Sequence, residues 1–263
     1  MEDLNINRTG IVILQWLRNE DPQLGEELYF QIRNKETQFD NFFVTFYKAT
    51  NQKEFTDSLQ KMIDTLEEGT IFTLHIVAHG YEDGLGTDLS TSIKWKELFY
   101  YTRQLNIKMH NTLLIVLSSC VGGGILSYID PTQRAPYMAF IGNTRDVLIK
   151  DARKGFPLFY EGYRSPLDFV KGLKALNESI DFSEELEPGK RKTEFFIMSA
   201  AQSFDEIFNP DRDPIFFAKV VSKIMPPNQI IPQELRIQKA KELFKKEGEK
   251  LRPYFTFTDL FFR

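Results

Sequence analysis

The chain has 263 residues, of which 42% are hydrophobic and 27% are charged, a balance that excludes an intrinsically disordered or fibrous protein. Its 33 basic and 37 acidic residues give a formal net charge of -4, without the basic excess that nucleic-acid binding requires. The chain has one cysteine, which excludes a framework of intrachain disulfides and is typical of a reducing compartment.

Short β-rich apolar runs alternate with segments of helical periodicity, a pattern that predicts an α/β fold. In chain order, the first predicted elements are a strand at Gly10–Leu14, a strand at Asn41–Ala49, a helix between the cap Asn51 and the stop Gly69, and a strand at Thr70–Ala78. A Gly-rich loop at Tyr81–Ser92, a helix at Ile93–Lys108 and strands at Thr112–Leu117 and Tyr137–Gly142 follow. We therefore expect a mostly parallel sheet of about six strands with helices on both faces.

The last predicted elements are a helix at Ser165–Asn177, a flexible loop at Glu178–Lys192, a strand at Phe195–Ala200 and a charged helix at Gln233–Leu251. We predict one domain over residues 1–205 and a C-terminal helical extension over residues 206–263. The extension ends in the aromatic sequence PYFTFTDLFFR. We expect these aromatic residues to pack on the domain, with docking of a partner as the alternative.

Neither an export signal nor a membrane span is visible in the sequence. The first ten residues, MEDLNINRTG, are polar and acidic, whereas an export signal has positive charge followed by an apolar run. The longest apolar region, 113–129, is interrupted by serine and glycine and is shorter than the roughly 20 residues that span a membrane. We expect a cytoplasmic protein with no nucleic-acid or membrane partner.

Two residues that can carry chemistry, His79 and Cys120, each follow an apolar strand. The surrounding motifs are HIVAHGYEDG (75–84) and LLIVLSSCVGGG (113–124). The carboxyl ends of parallel strands meet at one edge of a sheet, where such folds bind their ligands. A thiolate is a strong nucleophile, and an imidazole can pass its proton to a leaving amine. The pair predicts a catalytic dyad, with the backbone N–H groups of Gly80 and Cys120 as the oxyanion hole.

With these two motifs at successive strand ends, the chain resembles the caspase-like cysteine peptidases of clan CD, which include metacaspases, separases and bacterial CHAT proteases. The resemblance covers residues 10–205 and implies a three-layer α/β/α fold. It also implies that Cys120 is the nucleophile, His79 the base and Gly80 the oxyanion neighbour, with no third acid required. The implied activity is cleavage of protein or peptide substrates without a metal or other cofactor.

The chain departs from two branches of this family. The Gln-Ala-Cys-x-Gly signature of animal caspases is absent, and Ser118 stands where metacaspases commonly have an acid. Cleavage after aspartate or after arginine is therefore not supported. The Ser-Ser-Cys pattern is nearer to the CHAT branch, whose bacterial members often act in phage defence once a partner protein or small-molecule signal activates them. The resemblance thus implies a defence effector of this kind.

Other residues near the motifs have simpler interpretations. His75 is expected to be a core histidine, because ligands at metal-binding spacing are missing, and His110 is expected to be solvated. The run Gly122–Gly124 fits no phosphate-binding fingerprint. Ser118 and Ser119 lack the Gly-x-Ser-x-Gly elbow of serine hydrolases.

The acids that follow His79 leave a choice open. Glu82, Asp83 and Asp88 either select a basic substrate side chain or are solvated turn residues, and we favour the turn interpretation. Two alternative functions are also open. One is a catalytically inactive caspase-like module that binds or signals through the same groove. The other is a protease that stays silent until a ligand orders the segments Tyr81–Ser92 and Glu178–Lys192.

Overall fold

The computed structural model describes residues 5–88, 90–120, 125, 128–209 and 233–261. Its strands are β1 (Arg8–Trp16), β2 (Phe42–Ala49), β3 (Thr70–Tyr81), β4 (Gly84–Gly86), β5 (Ser92–Lys94), β6 (Leu114–Ser118), β7 (Ala139–Gly142), β8 (Glu185–Glu187), β9 (Lys190–Arg191) and β10 (Phe196–Ser199). Its α-helices are α1 (Leu24–Ile32), α2 (Gln52–Thr65), α3 (Trp95–Lys108), α4 (Ile149–Glu161), α5 (Phe169–Glu178), α6 (Ala200–Ile207) and α7 (Gln233–Phe255). Short 3₁₀ turns lie at Arg33–Thr37 and Thr258–Phe261.

The main sheet confirms the predicted α/β fold. Six strands lie in the order β10-β7-β6-β3-β1-β2. The neighbours from β7 to β2 all pair in parallel, whereas β10 pairs antiparallel with β7. The short strands β4 and β5 continue from the end of β3. The sheet is therefore mostly parallel.

The side chains of β1 alternate between the two faces of the sheet and pack against a different helical layer on each. Ile11 and Ile13 belong to one apolar cluster with Phe156 of α4. Trp16 faces the other way, and its ring centroid lies 5.2 Å from that of Phe55 in α2. Because successive side chains of a strand point to opposite faces, helices cover both faces of the sheet. This is the three-layer α/β/α arrangement.

The predicted strands of the main sheet are all present, but β3 is longer than expected. It continues to Tyr81 because its last three residues pair with β4. The prediction of a Gly-rich loop at Tyr81–Ser92 is therefore wrong at Tyr81, Gly84–Gly86 and Ser92, which belong to β3, β4 and β5. The predicted flexible loop Glu178–Lys192 likewise contains the two-stranded hairpin β8–β9.

Helix α2 begins as predicted and ends early. The Asn51 side chain accepts a hydrogen bond from the Glu54 backbone N–H at 2.9 Å, which caps the first turn. The helix ends at Thr65 because Leu66 is already extended. The prediction that Gly69 stops this helix is wrong, since Gly69 lies in the turn before β3.

The sequence pattern does not reveal α1, α4 and α6. Helix α4 contains Gly155 and Pro157, which are both unfavourable inside helices. A Cβ atom on Gly155 would lie only 2.4 Å from Leu176 Cδ1 in α5. The close packing of α4 against α5 therefore requires glycine at position 155. The same glycine weakens the helical pattern in the sequence, so the pattern does not predict α4.

The chain divides into two compact units. The first comprises residues 1–129 and 136–199, and the second comprises residues 130–135 and 200–263. The first unit holds the main sheet and α1 to α5, whereas the second holds α6 and α7. No helix in the described part of the chain has both the length and the apolar character to cross a membrane.

The second unit has its own aromatic packing. The Phe255 ring lies 5.3 Å from that of Phe204 in α6, and Phe255 and Phe257 are both buried. Arg134 forms an ion pair with Asp259. Part of the aromatic C-terminal sequence therefore packs inside this unit, while the boundary at residue 205 and packing onto the α/β domain stay predictions.

Candidate active site

The register of β3 against β6 brings His79 and Cys120 to the same level of the sheet. Val77 pairs with Ser118, and the two candidate residues each lie two positions further along the chain. Val77 and Ser118 line one small pocket together. Strand β6 ends at Ser118, so Cys120 follows in the bend beyond it, at the carboxyl edge of the sheet.

Gly80 marks a close approach between the two segments. A Cβ atom on this residue would lie 1.8 Å from the carbonyl oxygen of Cys120, a distance that no side chain tolerates. The His-Gly motif therefore has a structural cause, because only glycine admits the backbone of Cys120. The oxyanion-hole role of the Gly80 and Cys120 N–H groups stays a prediction.

Asp21, which neither motif contains, contacts His79. Its Oδ2 atom lies 2.8 Å from Nε2 of the imidazole. Partial burial opposes ionisation of Asp21, but hydrogen bonds from His79 and from the Arg18 backbone N–H outweigh it and lower the pKa of the carboxyl. The carboxylate is therefore ionised at neutral pH, beside a histidine whose side chain is 40% exposed.

The sequence carries only a partial signal for Asp21. Asp21 comes shortly after β1, just as His79 lies near the end of β3 and Cys120 comes shortly after β6. Recognising the contact also requires knowing that β1 lies directly beside β3. That neighbour relation depends on the strand order, which the motifs do not contain.

The Cys120 thiol is partly buried beside Asp146 and Val147. Burial is the largest influence and raises the pKa of this thiol, and the Asp146 carboxylate raises it further. A hydrogen bond from the Val147 backbone opposes them and does not prevail. The arrangement therefore favours the protonated thiol over the reactive thiolate at neutral pH.

The acids after His79 serve the β4–β5 hairpin. Asp83 forms an ion pair with Lys94 across the hairpin. The Asp88 side chain accepts hydrogen bonds from the backbone N–H groups of Ser90 and Thr91 at 2.9 and 2.8 Å. These contacts favour the interpretation of Asp83 and Asp88 as turn residues.

The other residues considered above lie apart from the site chemistry. His75 is fully buried and its Nδ1 lies 2.9 Å from the Tyr160 hydroxyl, so the core interpretation is confirmed. His110 is exposed in the turn before β6. Ser118 is buried, and Gly122–Gly124 lie outside the described residues. Within the described ranges, no cluster of three or more His, Cys, Asp or Glu side chains is placed to hold a metal ion.

Two solved caspase structures are similar to this chain. The crystal structure of Caspase-1 from Spodoptera frugiperda has a TM-score of 0.53 and 17% sequence identity, over 75% of this chain and 88% of that chain. The structure of pro-sf-caspase-1 has a TM-score of 0.53 and 15% identity, over 75% of this chain and 93% of that chain. No protein-family model and no curated protein sequence matches the chain. The chain therefore has a caspase-like fold.

Proposed function

We propose that the chain is a cysteine endopeptidase in which Cys120 attacks the substrate peptide bond and His79 acts as the base. The observation that supports this function best is that His79 and Cys120 lie at the carboxyl ends of neighbouring parallel strands of a caspase-like sheet. Glycine at position 80 allows the backbone of Cys120 to approach closely. Protein or peptide substrates follow from this chemistry.

The reaction starts when Cys120 transfers its thiol proton to His79 and the resulting thiolate adds to the carbonyl carbon of the scissile bond. The N–H groups of Gly80 and Cys120 stabilise the oxyanion. The C–N bond then breaks as His79 donates its proton to the leaving amine, which leaves a thioester on Cys120. Water attacks the thioester with His79 as base, and the thiol is regenerated.

The environment of Cys120 favours a protease that needs activation. Burial and the Asp146 carboxylate hold the pKa of the thiol above its ordinary value, whereas catalytic cysteines work as thiolates. A partner protein or a small-molecule signal that moves Asp146 and exposes the thiol would relieve both effects. Control of this kind is what the sequence resemblance to CHAT proteases implies, and on that resemblance we propose a role as a cytoplasmic anti-phage effector.

The burial and raised pKa of the Cys120 thiol also favour one alternative function. This alternative is a catalytically inactive module that binds a partner through the groove. A protonated, partly buried thiol is also what a structural cysteine has. The two functions differ in whether Cys120 is needed for chemistry.

Proteolysis of a peptide mixture distinguishes these functions. The purified chain would be incubated with peptides from a digested cellular proteome, at pH 7.5 and pH 9, and new amino termini would be identified by mass spectrometry. We expect termini that appear with the wild type and are absent with Cys120→Ala, in greater number at pH 9, where the thiol ionises more readily. Identical products from both proteins, or none at either pH with lysate added, would contradict the peptidase proposal and favour the inactive module.

A further inference from the structure

We infer that Asp21 is a positioning residue that fixes the tautomer of His79 and leaves Nδ1 as the nitrogen that takes the proton from Cys120. The inference rests on the proposed roles of Cys120 and His79. It adds a third member to a site for which the sequence motifs require only two. Its basis is the 2.8 Å contact between Asp21 Oδ2 and His79 Nε2.

This contact determines which ring nitrogen carries hydrogen. An ionised carboxylate can only accept hydrogen bonds, and Asp21 stays ionised because its two hydrogen-bond donors lower its pKa. Nε2 of His79 must therefore be the donor. In the neutral ring the other nitrogen, Nδ1, then holds the free lone pair. After His79 takes the thiol proton, the adjacent carboxylate faces a positive charge, as the acid of a serine-protease triad does.

The loop that holds Asp21 is braced from the core. Gln15 is fully buried, and its Oε1 accepts a hydrogen bond from the Gly25 N–H at 2.8 Å. Its Nε2 donates to Gln23 Oε1 at 2.7 Å. Gln23 in turn donates to the carbonyl oxygens of Arg18 and Asp21 at 2.9 and 2.7 Å. This chain of amides connects the start of α1 to the turn and fixes the turn's backbone.

The carboxylate itself is held by a second donor. The Arg18 backbone N–H donates to Asp21 Oδ2 at 2.9 Å. The guanidinium of Arg18 donates to the Thr87 carbonyl at 2.7 Å, which ties the Asp21 loop to the hairpin that follows His79. An ordinary surface ion pair lacks such bracing and contributes little. Here the acid has a fixed direction toward one ring nitrogen.

The test measures the imidazole directly. Nitrogen-15 NMR of the ring reports which nitrogen carries hydrogen, and the chain has only three histidines to assign. We expect His79 of the wild type to have hydrogen on Nε2, and Asp21→Asn to keep this state because its amide oxygen still accepts. Asp21→Ala is expected to relax the ring to the mixed tautomer population of a solvent-exposed histidine, in which a minor share has hydrogen on Nδ1. The matched control is Glu20→Gln, which changes an exposed carboxylate in the same loop and should leave the ring as in the wild type.

A rate measurement separates positioning from folding. Labelling of Cys120 by a cysteine-directed peptide probe is expected to fall roughly 10- to 100-fold in Asp21→Ala, less than the roughly 10⁴-fold effect in a buried triad, because the pair is partly exposed. The melting temperature should change little. An Asp21→Ala protein that keeps the Nε2 hydrogen and the wild-type labelling rate would overturn the inference. The NMR result does not depend on proteolysis, so a failure of the proposed function is recognised separately, as a wild type that never labels.

Discussion

His75 and His79 lie four residues apart on β3 and have opposite environments. His75 is fully buried, and its ring lies 4.6 Å from that of Phe156. Burial lowers the pKa of His75 to about 3, so that this residue is neutral. His79 has 40% of its side chain exposed and contacts Asp21. The same residue type therefore serves the core in one place and presents a partly exposed ring beside a carboxylate in the other.

The two environments indicate that position along a strand decides what a polar side chain can do. The middle of β3 has strands on both sides and is buried, so a histidine there is held in its neutral form. The carboxyl end of the strand emerges among loops, where a ring can meet solvent, an acid and a substrate. Three substitutions test this contrast between His75 and His79.

The largest effect is expected from Gly80→Ala, which disrupts only the carboxyl end of β3. The new methyl group would lie 1.8 Å from the Cys120 carbonyl oxygen, so the backbone must move. We expect a loss of about 3 kcal/mol in the free energy of unfolding, at the upper end for overpacking, together with loss of probe labelling at Cys120. Urea unfolding and labelling would measure both.

The control for this change is Gly162→Ala, where a Cβ atom meets nothing within 4 Å. It should neither change the free energy of unfolding by more than about 1 kcal/mol nor change the labelling. A Gly80→Ala protein as stable and reactive as this control would show that the close approach is not important.

The next largest effect is expected at His75, where the free energy of unfolding depends on pH. Unfolding exposes His75, which then binds a proton below its ordinary pKa of 6.5, whereas the folded protein resists protonation down to about pH 3. This residue's contribution to the free energy of unfolding is complete above pH 6.5 and falls by about 1.4 kcal/mol for each pH unit below it. Urea unfolding at pH 5 and pH 7 should therefore show a smaller pH dependence in His75→Gln than in the wild type.

Tyr160→Phe is the matched variant for this experiment. It removes the hydroxyl that contacts His75 Nδ1 but keeps the ring buried, and burial is the cause of the lowered pKa. We expect lower stability with an unchanged pH dependence. Equal pH dependence in His75→Gln and the wild type would contradict the account of His75.

The smallest effect is expected at the thiol. Asp146→Asn removes a negative charge next to Cys120, so the pKa of the thiol should fall and more thiolate should be present at neutral pH. Because Asp146 is exposed, solvent screens the charge, and we expect alkylation by iodoacetamide at pH 7.5 to rise roughly twofold to fivefold. Asp40→Asn, which changes an exposed acid before β2, is the control. A slower reaction in Asp146→Asn would contradict the stated cause.

The sheet and its reactive edge could be predicted because the signals are local. Strand β6 is apolar up to Ser118 and β3 is mainly apolar, and each ends in or is followed by polar and glycine residues. A buried parallel strand produces this pattern directly. The positions of His79 and Cys120 at the carboxyl edge follow from the same pattern, without knowledge of the three-dimensional structure.

What could not be predicted depends on contacts between distant segments. Asp21 meets His79 only because β1 pairs beside β3, and no periodicity encodes that order. Helix α4 forms despite Gly155 and Pro157 because packing against α5 outweighs helix propensity. The raised pKa of Cys120 depends on burial of the thiol first and on Asp146, in the loop after β7, second. Each of these features is tertiary in origin.

The most direct test of the central claim, that the exposed end of β3 supplies the base for Cys120, is the labelling rate of four proteins with a cysteine-directed, peptide-based probe. These are the wild type, Cys120→Ala, His79→Asn and His110→Asn, the last changing an exposed histidine in a turn. We expect no labelling of Cys120→Ala, a loss of roughly 100-fold or more in His79→Asn, and the wild-type rate in His110→Asn. Labelling of His79→Asn at the wild-type rate, or a wild type that labels no faster than a free thiol even with candidate activators, would contradict it.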